Sequence, residues 1–212
     1  MIITYQGAEF FRIQFGDITL AVNPVSKESK LPQSRFGADI VLSSLHHVDM
    51  NGVDMVTHGE RVPFSVSGPG EYEVKEVFIK GFASESMYGG SALINTIYKV
   101  ELEGMNLCFL GGIVNPEIKP EVTEELGEID ILFLPIGGQG VLDAAKAYKL
   151  AVALAPKIII PNHFGDIGDS QALKSFLKEA GVNPDPLPKL TLKKKDLEGK
   201  EGDVIVLESS KE

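Results

Sequence analysis

Residues 130–165 read DILFLPIGGQGVLDAAKAYKLAVALAPKIIIPNHFG. Two apolar runs, at 130–136 and 157–161, flank a segment from Asp143 to Ala155 that is rich in Ala and Leu. Short continuous apolar runs are typical of strands that are buried on both faces. The middle segment has the composition of a helix, which Pro156 ends. This unit of strand, helix and strand predicts neighbouring parallel strands with a helix packed outside them.

The rest of the chain extends this pattern in both directions. Before Gly112, short runs rich in Ile, Val, Phe, Tyr and Thr alternate with Gly, Pro and Asn, which predicts many strands joined by tight turns. Further predicted elements are strands at 39–43, 77–82 and 204–207 and helices at 115–126 and 169–181. We therefore expect an α/β protein with two packed sheets and helices outside them, in a single domain of residues 1–212.

The composition excludes several classes of function. The 212 residues include 20 Lys and Arg against 30 Asp and Glu, which gives a formal net charge of −10. So acidic a surface repels phosphate backbones and anionic lipid, and neither nucleic acid nor a membrane is an expected partner. No apolar run reaches the ~20 residues that a membrane helix needs. The first residues do not resemble a signal peptide, so a cytoplasmic location is expected.

Two further expectations concern Cys108 and the partners. Cys108 lies within the apolar run 106–110, which predicts a buried core thiol rather than a disulfide or a nucleophile. The expected partners are a small-molecule ligand and, where exposed strand edges pair, further copies of the chain in a homo-oligomer.

Candidate metal ligands follow two of the predicted strands. His47 and Asp49 come just after the strand at 39–43, and residues two apart in extended backbone project to the same side. His163 follows the strand at 157–161, at the end where α/β proteins place ligands. Two imidazoles and one carboxylate form a set that can hold one divalent ion with open positions for water. The alternative is that all three are ordinary hydrogen-bonded loop residues.

Several motifs resemble those of the metallo-β-lactamase superfamily. The segment DIVLSSLHHVDM at 39–50 resembles the first metal motif of that family, Thr-His-x-His-x-Asp-His after a core strand. Further stretches resemble the compact Zn-dependent hydrolases similar to ascorbate-6-phosphate lactonase: GPGEYEV at 68–74, NTIY at 95–98, LCFLGG at 107–112, DILFLPIGG at 130–138 and KIIIPNHFG at 157–165. These motifs follow the family's order over most of the chain. The resemblance implies a four-layer αββα sandwich with the site at the edge of the sheets.

Carrying the family's ligands over position by position leaves a degenerate set. The positions that keep a ligand type are His47, Asp49 and His163. The other family histidines fall on Leu45, on Met50 and near Ser84, and the bridging aspartate falls on Gly112. The retained ligands come from both metal subsites, and without the bridging carboxylate little charge remains to hold two cations about 3.5 to 4 Å apart. The resemblance therefore implies a hydrolase-like protein without family-type dinuclear hydrolysis.

Two hypotheses remain open at this point. In the first, the chain is a pseudoenzyme whose sandwich serves ligand binding, assembly or regulation and which holds no metal. In the second, it is a mononuclear hydrolase of a small ester, lactone or phosphoester. One zinc or other divalent ion would then be held by His47, Asp49 and His163, with Asp49 as the candidate catalytic residue.

Weaker alternatives involve other residues. His46 would point away from its neighbour in extended backbone, and His58 precedes a predicted turn, so both are expected outside the ligand set. Ser43 or Ser44, with the nearby His-x-Asp pair, supplies the residue types of a hydrolase triad but lacks the G-x-S-x-G elbow. The turn 137–140 either offers backbone N–H groups to an anion or is a tight connection from strand to helix.

Overall fold

The computed structural model describes residues 1–60 and 62–210 and contains two β-sheets that pack face to face. Within these residues the strands are, in chain order, β1 (Ile2–Gly7), β2 (Phe10–Phe15), β3 (Ile18–Val22), β4 (Ile40–Leu42), β5 (Phe64–Val66), β6 (Gly70–Val74), β7 (Val77–Ser86), β8 (Leu93–Leu102), β9 (Met105–Phe109), β10 (Ile131–Pro135), β11 (Ile158–Asn162), β12 (Leu190–Thr191) and β13 (Asp203–Val204). The α-helices are α1 (Pro120–Leu126), α2 (Ala144–Leu154) and α3 (Ala172–Ala180), and short 3-10 helices occur at Val53–Val56, Tyr88–Gly90 and Lys194–Leu197.

The order of the strands determines where a site can form. The first sheet has the order β12-β1-β2-β3-β4-β5 and the second the order β13-β11-β10-β9-β8-β7-β6. Strands β3, β4 and β5 are parallel in the first sheet, and β9, β10, β11 and β13 are parallel in the second. The loops after β4 and after β11 therefore both leave the carboxyl ends of parallel strands, which is where α/β proteins bind ligands.

Three apolar layers hold the sandwich together. The central layer lies between the sheets, since alternate residues of each strand point inwards. There Phe133 packs against Phe11 and stacks on Phe109 with 4.1 Å between ring centroids. A second layer joins the second sheet to α2 and α3. The third covers the outer face of the first sheet with Phe10 and the 3-10 helix Val53–Val56. The predicted α/β sandwich is confirmed, with its α-helices on one outer face and a loop with a 3-10 turn on the other.

One helix begins later than the sequence predicts. The helix expected at 115–126 begins at Pro120. Asn115 Oδ1 accepts a hydrogen bond from the backbone N–H of Glu117 at 3.0 Å and holds this stretch in a turn. Proline breaks the interior of a helix but is favoured at its first position, so a helix that contains Pro120 begins there.

The other two helices are confirmed with small differences at their ends. Asp143 caps α2, because its side chain accepts a hydrogen bond from the backbone N–H of Lys146 at 2.9 Å. Helix α3 begins at Ala172 rather than at Asp169. The Asp169 carboxylate accepts from the backbone N–H of Gln171 at 2.6 Å and so closes the turn that precedes the helix.

Two strands also differ in extent. The strand predicted at 77–82 continues to Ser86, since β8 pairs with it up to the pair of Ser86 and Leu93. The strand predicted at 204–207 is the short β13, which ends at Val204.

In the described part of the chain, no helix is both long enough and apolar enough to cross a membrane. Cys108 is buried in the core, as predicted. Burial raises the pKa of its thiol to about 12, so the nucleophilic thiolate does not form at neutral pH.

Candidate functional site

The loop after β4 brings His47 and Asp49 together through a turn. The backbone N–H of Met50 donates to the carbonyl oxygen of His47 at 2.9 Å and closes that turn. His47 Nδ1 lies 3.4 Å from Asp49 Oδ2 and accepts a hydrogen bond from the backbone N–H of Asp49 at 3.3 Å. The two side chains are neighbours, as predicted, but by chain reversal rather than by extended alternation.

His163 is held in place from the core side. It follows β11 in left-handed backbone, with φ at 59°, and its N–H donates to the carbonyl of Ala8 at 2.6 Å. His163 Nδ1 lies 2.7 Å from Glu9 Oε1, and the two side chains are 0% and 1% exposed. Glu9 Oε2 also accepts from Asn23 Nδ2 at 3.1 Å. A carboxylate only accepts, so Nδ1 carries the proton, and His163 Nε2 keeps a buried lone pair without a partner among the described residues.

Tyr88, in the turn after β7, contacts all three candidate ligands. Its hydroxyl donates to Asp49 Oδ2 at 2.5 Å. Its ring meets the ring of His47 edge to face, with 4.8 Å between centroids, and that of His163 in the same way at 5.2 Å. The second oxygen of Asp49 accepts from the hydroxyl of Ser29. A tyrosine thus connects the side chains that the sequence analysis assigned to one metal ion.

The three candidate ligands do not form a converged set in this arrangement. Within residues 1–60 and 62–210, no group of three His, Cys, Asp or Glu side chains is placed to hold one ion. Of the two imidazoles that Tyr88 contacts, that of His163 has a fully buried nitrogen, Nε2, without a hydrogen-bond partner among the described residues. Metal binding by His47, Asp49 and His163 stays a prediction.

The buried phenols lead to a prediction about alkaline pH. Burial, followed by the hydrogen bond to Asp49, raises the pKa of Tyr88 above the usual value of 10.0, and burial likewise raises the pKa of Tyr5 and Tyr98. The same phenols ionise first in the unfolded chain, so their contribution to stability is complete below about pH 10 and is lost as the pH rises further. We expect the free energy of unfolding in urea, measured by circular dichroism, to fall above about pH 10. A constant value up to about pH 11 would contradict this.

The positions onto which the resemblance places the family's other ligands are tightly packed. Leu45 is 1% exposed and Met50 is 0% exposed. A Cβ atom on Gly112 would lie 2.6 Å from Leu45 Cδ1 and 3.1 Å from Ser86 Oγ, and real Cβ atoms do not approach a neighbour as closely as the first of these distances. The leucine therefore fills the space that a side chain at 112 would need.

The histidine position that was carried over to the neighbourhood of Ser84 needs a correction. Ser84 does not follow the strand predicted at 77–82 but lies inside the longer β7, where its oxygen accepts from Asn95 Nδ2 at 2.8 Å. The residues of this stretch that approach the site are Ser86, beside Gly112, and Tyr88. The error arose because the strand is longer than its apolar pattern indicates, which moves the following turn towards the C-terminus.

The weaker alternatives are not favoured by the geometry. His46 and His58 are exposed, as expected. The hydroxyl oxygens of Ser43 and Ser44 are buried and have no hydrogen-bond partner in the described part of the chain, so neither is activated by His47 as a triad requires.

The turn 137–140 is a close-packed connection. A Cβ atom on Gly137 would lie 2.1 Å from the carbonyl oxygen of His163, so only glycine fits there. The cavity beside this turn, about 320 Å³, has three acidic residues in its lining, Asp143, Asp169 and Glu179, and no basic one among those described. Three acidic side chains repel an anion, which favours the interpretation as a tight turn.

Sequence reasoning did not find Glu9, Asn23, Ser29 or Tyr88. Glu9 lies in the β1–β2 turn and looks in the sequence like any exposed turn acid, but it is 1% exposed. Tyr88 precedes Gly89 and Gly90, and this glycine pair is the one sequence signal that marks a tight turn there. A Cβ atom on Gly89, whose φ is 76°, would lie 3.2 Å from His47 Nε2, so the glycine allows the turn to approach the imidazole.

Several known proteins are similar to this chain in sequence or in fold. A family model described as a beta-lactamase superfamily domain matches residues 2–163. A crystal structure from Thermotoga maritima, of a protein assigned to the Zn-dependent hydrolases of the metallo-β-lactamase superfamily, is 27% identical, has a TM-score of 0.71 and covers 97% of each chain. A protein from Parabacteroides distasonis, assigned to the metal-dependent hydrolases, is 19% identical with a TM-score of 0.66 and covers 98% of this chain and 93% of the other.

A curated relative adds a short match. A UPF0173 protein of Pyrococcus furiosus is 32% identical over 60 residues, which is 28% of this chain and 28% of the relative. The chain therefore matches well under half of that relative's length.

Proposed function

We propose that this chain, which belongs to the family of beta-lactamase superfamily domains, is a hydrolase-like member that does not carry out dinuclear hydrolysis. In this proposal Tyr88 closes the candidate metal site. In this proposal the sandwich binds a small molecule and does not cleave it at a pair of metal ions. The observation that carries the proposal is the contact of one tyrosine with Asp49, His47 and His163 together.

Tyr88 competes directly with a cation for the same donors. Its hydroxyl proton is directed at Asp49, so an ion on that carboxylate oxygen would have to displace the phenol. The neighbouring positions reinforce the effect, since Leu45 and Met50 place buried apolar groups where imidazoles stand in the family motif. Apolar surroundings increase the free-energy cost of an unshielded charge. Gly112 supplies no bridging carboxylate to offset that cost.

A second candidate function is supported by the unpaired Nε2 of His163. An imidazole whose other nitrogen is held by a carboxylate, here Glu9, is a common arrangement of metal ligands. A mononuclear hydrolase of a small ester, lactone or phosphoester would hold one divalent ion with His47, Asp49 and His163 after Tyr88 has moved away. In the described arrangement the first two do not fit that role, and we therefore assign no catalytic step to them.

Metal content distinguishes the two candidate functions. We expect protein purified without chelator and then dialysed to contain less than about 0.1 equivalent of zinc, manganese or cobalt in elemental analysis. Tyr88→Ala removes the competing hydroxyl and ring, so we expect it to bind cobalt(II) at least about tenfold more tightly than the unaltered protein in a titration followed by visible absorbance. His163→Ala in the Tyr88→Ala background should abolish the gain. Tyr72→Ala, on β6 and outside the site, is the matched control and should change nothing.

Two outcomes would contradict the proposal. About one equivalent of metal in the unaltered protein, lost in His163→Ala, would favour the mononuclear hydrolase. About two equivalents would contradict both candidate functions, because the ligand set would then include groups that the geometry does not bring together.

A further inference from the structure

The outer, helix-facing side of β7 and β8 contains a cavity of about 580 Å³, which we call the β7–β8 cavity. Its opposite wall is the segment 113–122, which leads from β9 into α1. Because α1 begins only at Pro120, residues 115–119 pass over the strands as a loop instead of packing on them as a helix. The volume lies in the range of about 300 to 1,000 Å³ that is typical of sites for small molecules.

The walls of the β7–β8 cavity are mainly apolar. The apolar residues that line it are Ala83, Ile94, Ile97, Ile113, Ile118 and Val122. Ile97 and Ile113 are 1% and 2% exposed and belong to the core beneath the helices. Ile118, in contrast, is half-buried against this core, so a ligand that covered its exposed part would remove apolar surface from water.

Ser84 gives this apolar cavity one oriented polar group. Its oxygen accepts a hydrogen bond from Asn95 Nδ2 at 2.8 Å. The asparagine is fully used, since it also donates to the carbonyl of Leu110 at 2.8 Å and accepts from the backbone N–H of Gly112 at 2.9 Å. The hydroxyl proton of Ser84 has no acceptor among the described residues, so it is available to a ligand oxygen.

The charges around the β7–β8 cavity narrow the class of ligand. Glu85, Glu117 and Lys119 line it and are exposed, which leaves one net negative charge. The whole chain, including these residues, has a formal net charge of −10. A carboxylate or phosphate ligand would therefore be repelled, whereas a neutral molecule would not.

We propose that the β7–β8 cavity binds a neutral, largely apolar small molecule that carries a carbonyl oxygen, with Ser84 donating to that oxygen and Ile118 covering its apolar part. The wall is held in place by the backbone, because the N–H of Val114 donates to the carbonyl of Glu85 at 3.1 Å. This site does not depend on Tyr88 or on any metal.

A neutral fluorescent ketone, 6-propionyl-2-(dimethylamino)naphthalene, tests the site directly. We expect a saturable blue shift of its emission in the presence of the protein. Ser84→Ala removes one hydrogen bond and should weaken binding about fivefold, and Ile118→Asp should weaken it about tenfold or more. Val152→Asp is the matched control, since Val152 is 62% exposed on α2 and lies outside the cavity, and it should bind as the unaltered protein does.

The outcomes separate this site from the candidate metal site. Tyr88→Ala should keep the affinity for the ketone, and loss of binding in that variant would overturn the assignment to the β7–β8 cavity. An affinity unchanged from that of the unaltered protein in both Ser84→Ala and Ile118→Asp would also overturn it. A further result would overturn it too: no saturable shift, together with a concentration-dependent dimer in sedimentation that Ile118→Asp abolishes. The cavity would then receive a second copy of the chain.

Discussion

Gly112→Asp is expected to lower the free energy of unfolding by about 3 kcal/mol or more, although it supplies a carboxylate where the resemblance to the family predicts the bridging aspartate. The new Cβ atom would lie 2.6 Å from Leu45 Cδ1 and 3.1 Å from Ser86 Oγ. Leu45 is 1% exposed and cannot move into solvent. The carboxylate would also be buried beside an apolar group, which adds a desolvation cost to the steric one. Urea unfolding followed by circular dichroism measures the change.

Two further variants identify the cause. Leu45→Ala combined with Gly112→Asp removes the closest contact and should recover about half of the loss. Gly68→Asp adds the same carboxylate where no atom lies within 4 Å of the new Cβ atom, and it should change stability by less than about 0.5 kcal/mol. If Gly112→Asp were as stable as the unaltered protein, the argument that Leu45 fills the space of the bridging ligand would be wrong.

Glu9→Ala is expected to cost about 3 to 5 kcal/mol of stability. Both oxygens of this buried carboxylate are in use, one 2.7 Å from His163 Nδ1 and the other accepting from Asn23 Nδ2 at 3.1 Å. Removing the side chain leaves two donors without a partner in a region that water does not reach. Glu9→Gln keeps one acceptor oxygen but places an amide N–H₂ against a donor, so an intermediate loss is expected.

The surface variant Glu85→Ala is the control, because Glu85 is exposed and its removal should change stability by less than about 0.5 kcal/mol. The imidazole nitrogen resonances of His163 provide a second measurement. In the unaltered protein they should show the proton on Nδ1, and in Glu9→Ala that preference should be lost. A loss of less than about 1 kcal/mol in Glu9→Ala, with an unchanged tautomer, would show that Glu9 does not position His163.

Much of the fold was predictable from the sequence for a simple physical reason. The apolar runs at 130–136 and 157–161 form β10 and β11, which are parallel neighbours, with α2 between them in the chain. Runs of this kind are typical of strands that are buried on both faces, and they therefore indicate a sheet that lies between two other layers of the fold. Family membership was also predictable, since the motifs occur in order along most of the chain. The ends of the helices and strands were less predictable. For α1, Pro116 and Pro120 both fit the first position of a helix, and only one of them can occupy it.

The sequence by itself determined the layered sandwich, because burial patterns are local properties of the chain, and the residue identities at Leu45, Met50 and Gly112 are the basis for predicting a degenerate ligand set. Only the tertiary structure decided that Tyr88 contacts Asp49 and that Glu9 holds His163, partners that lie 39 and 154 residues apart in the chain. Such contacts depend on how the sheets pack and on which space their neighbours leave open. In the sequence, Tyr88 and Glu9 look like many other turn residues. Only the packing of the fold places Tyr88 against the three candidate ligands and buries Glu9 beside His163.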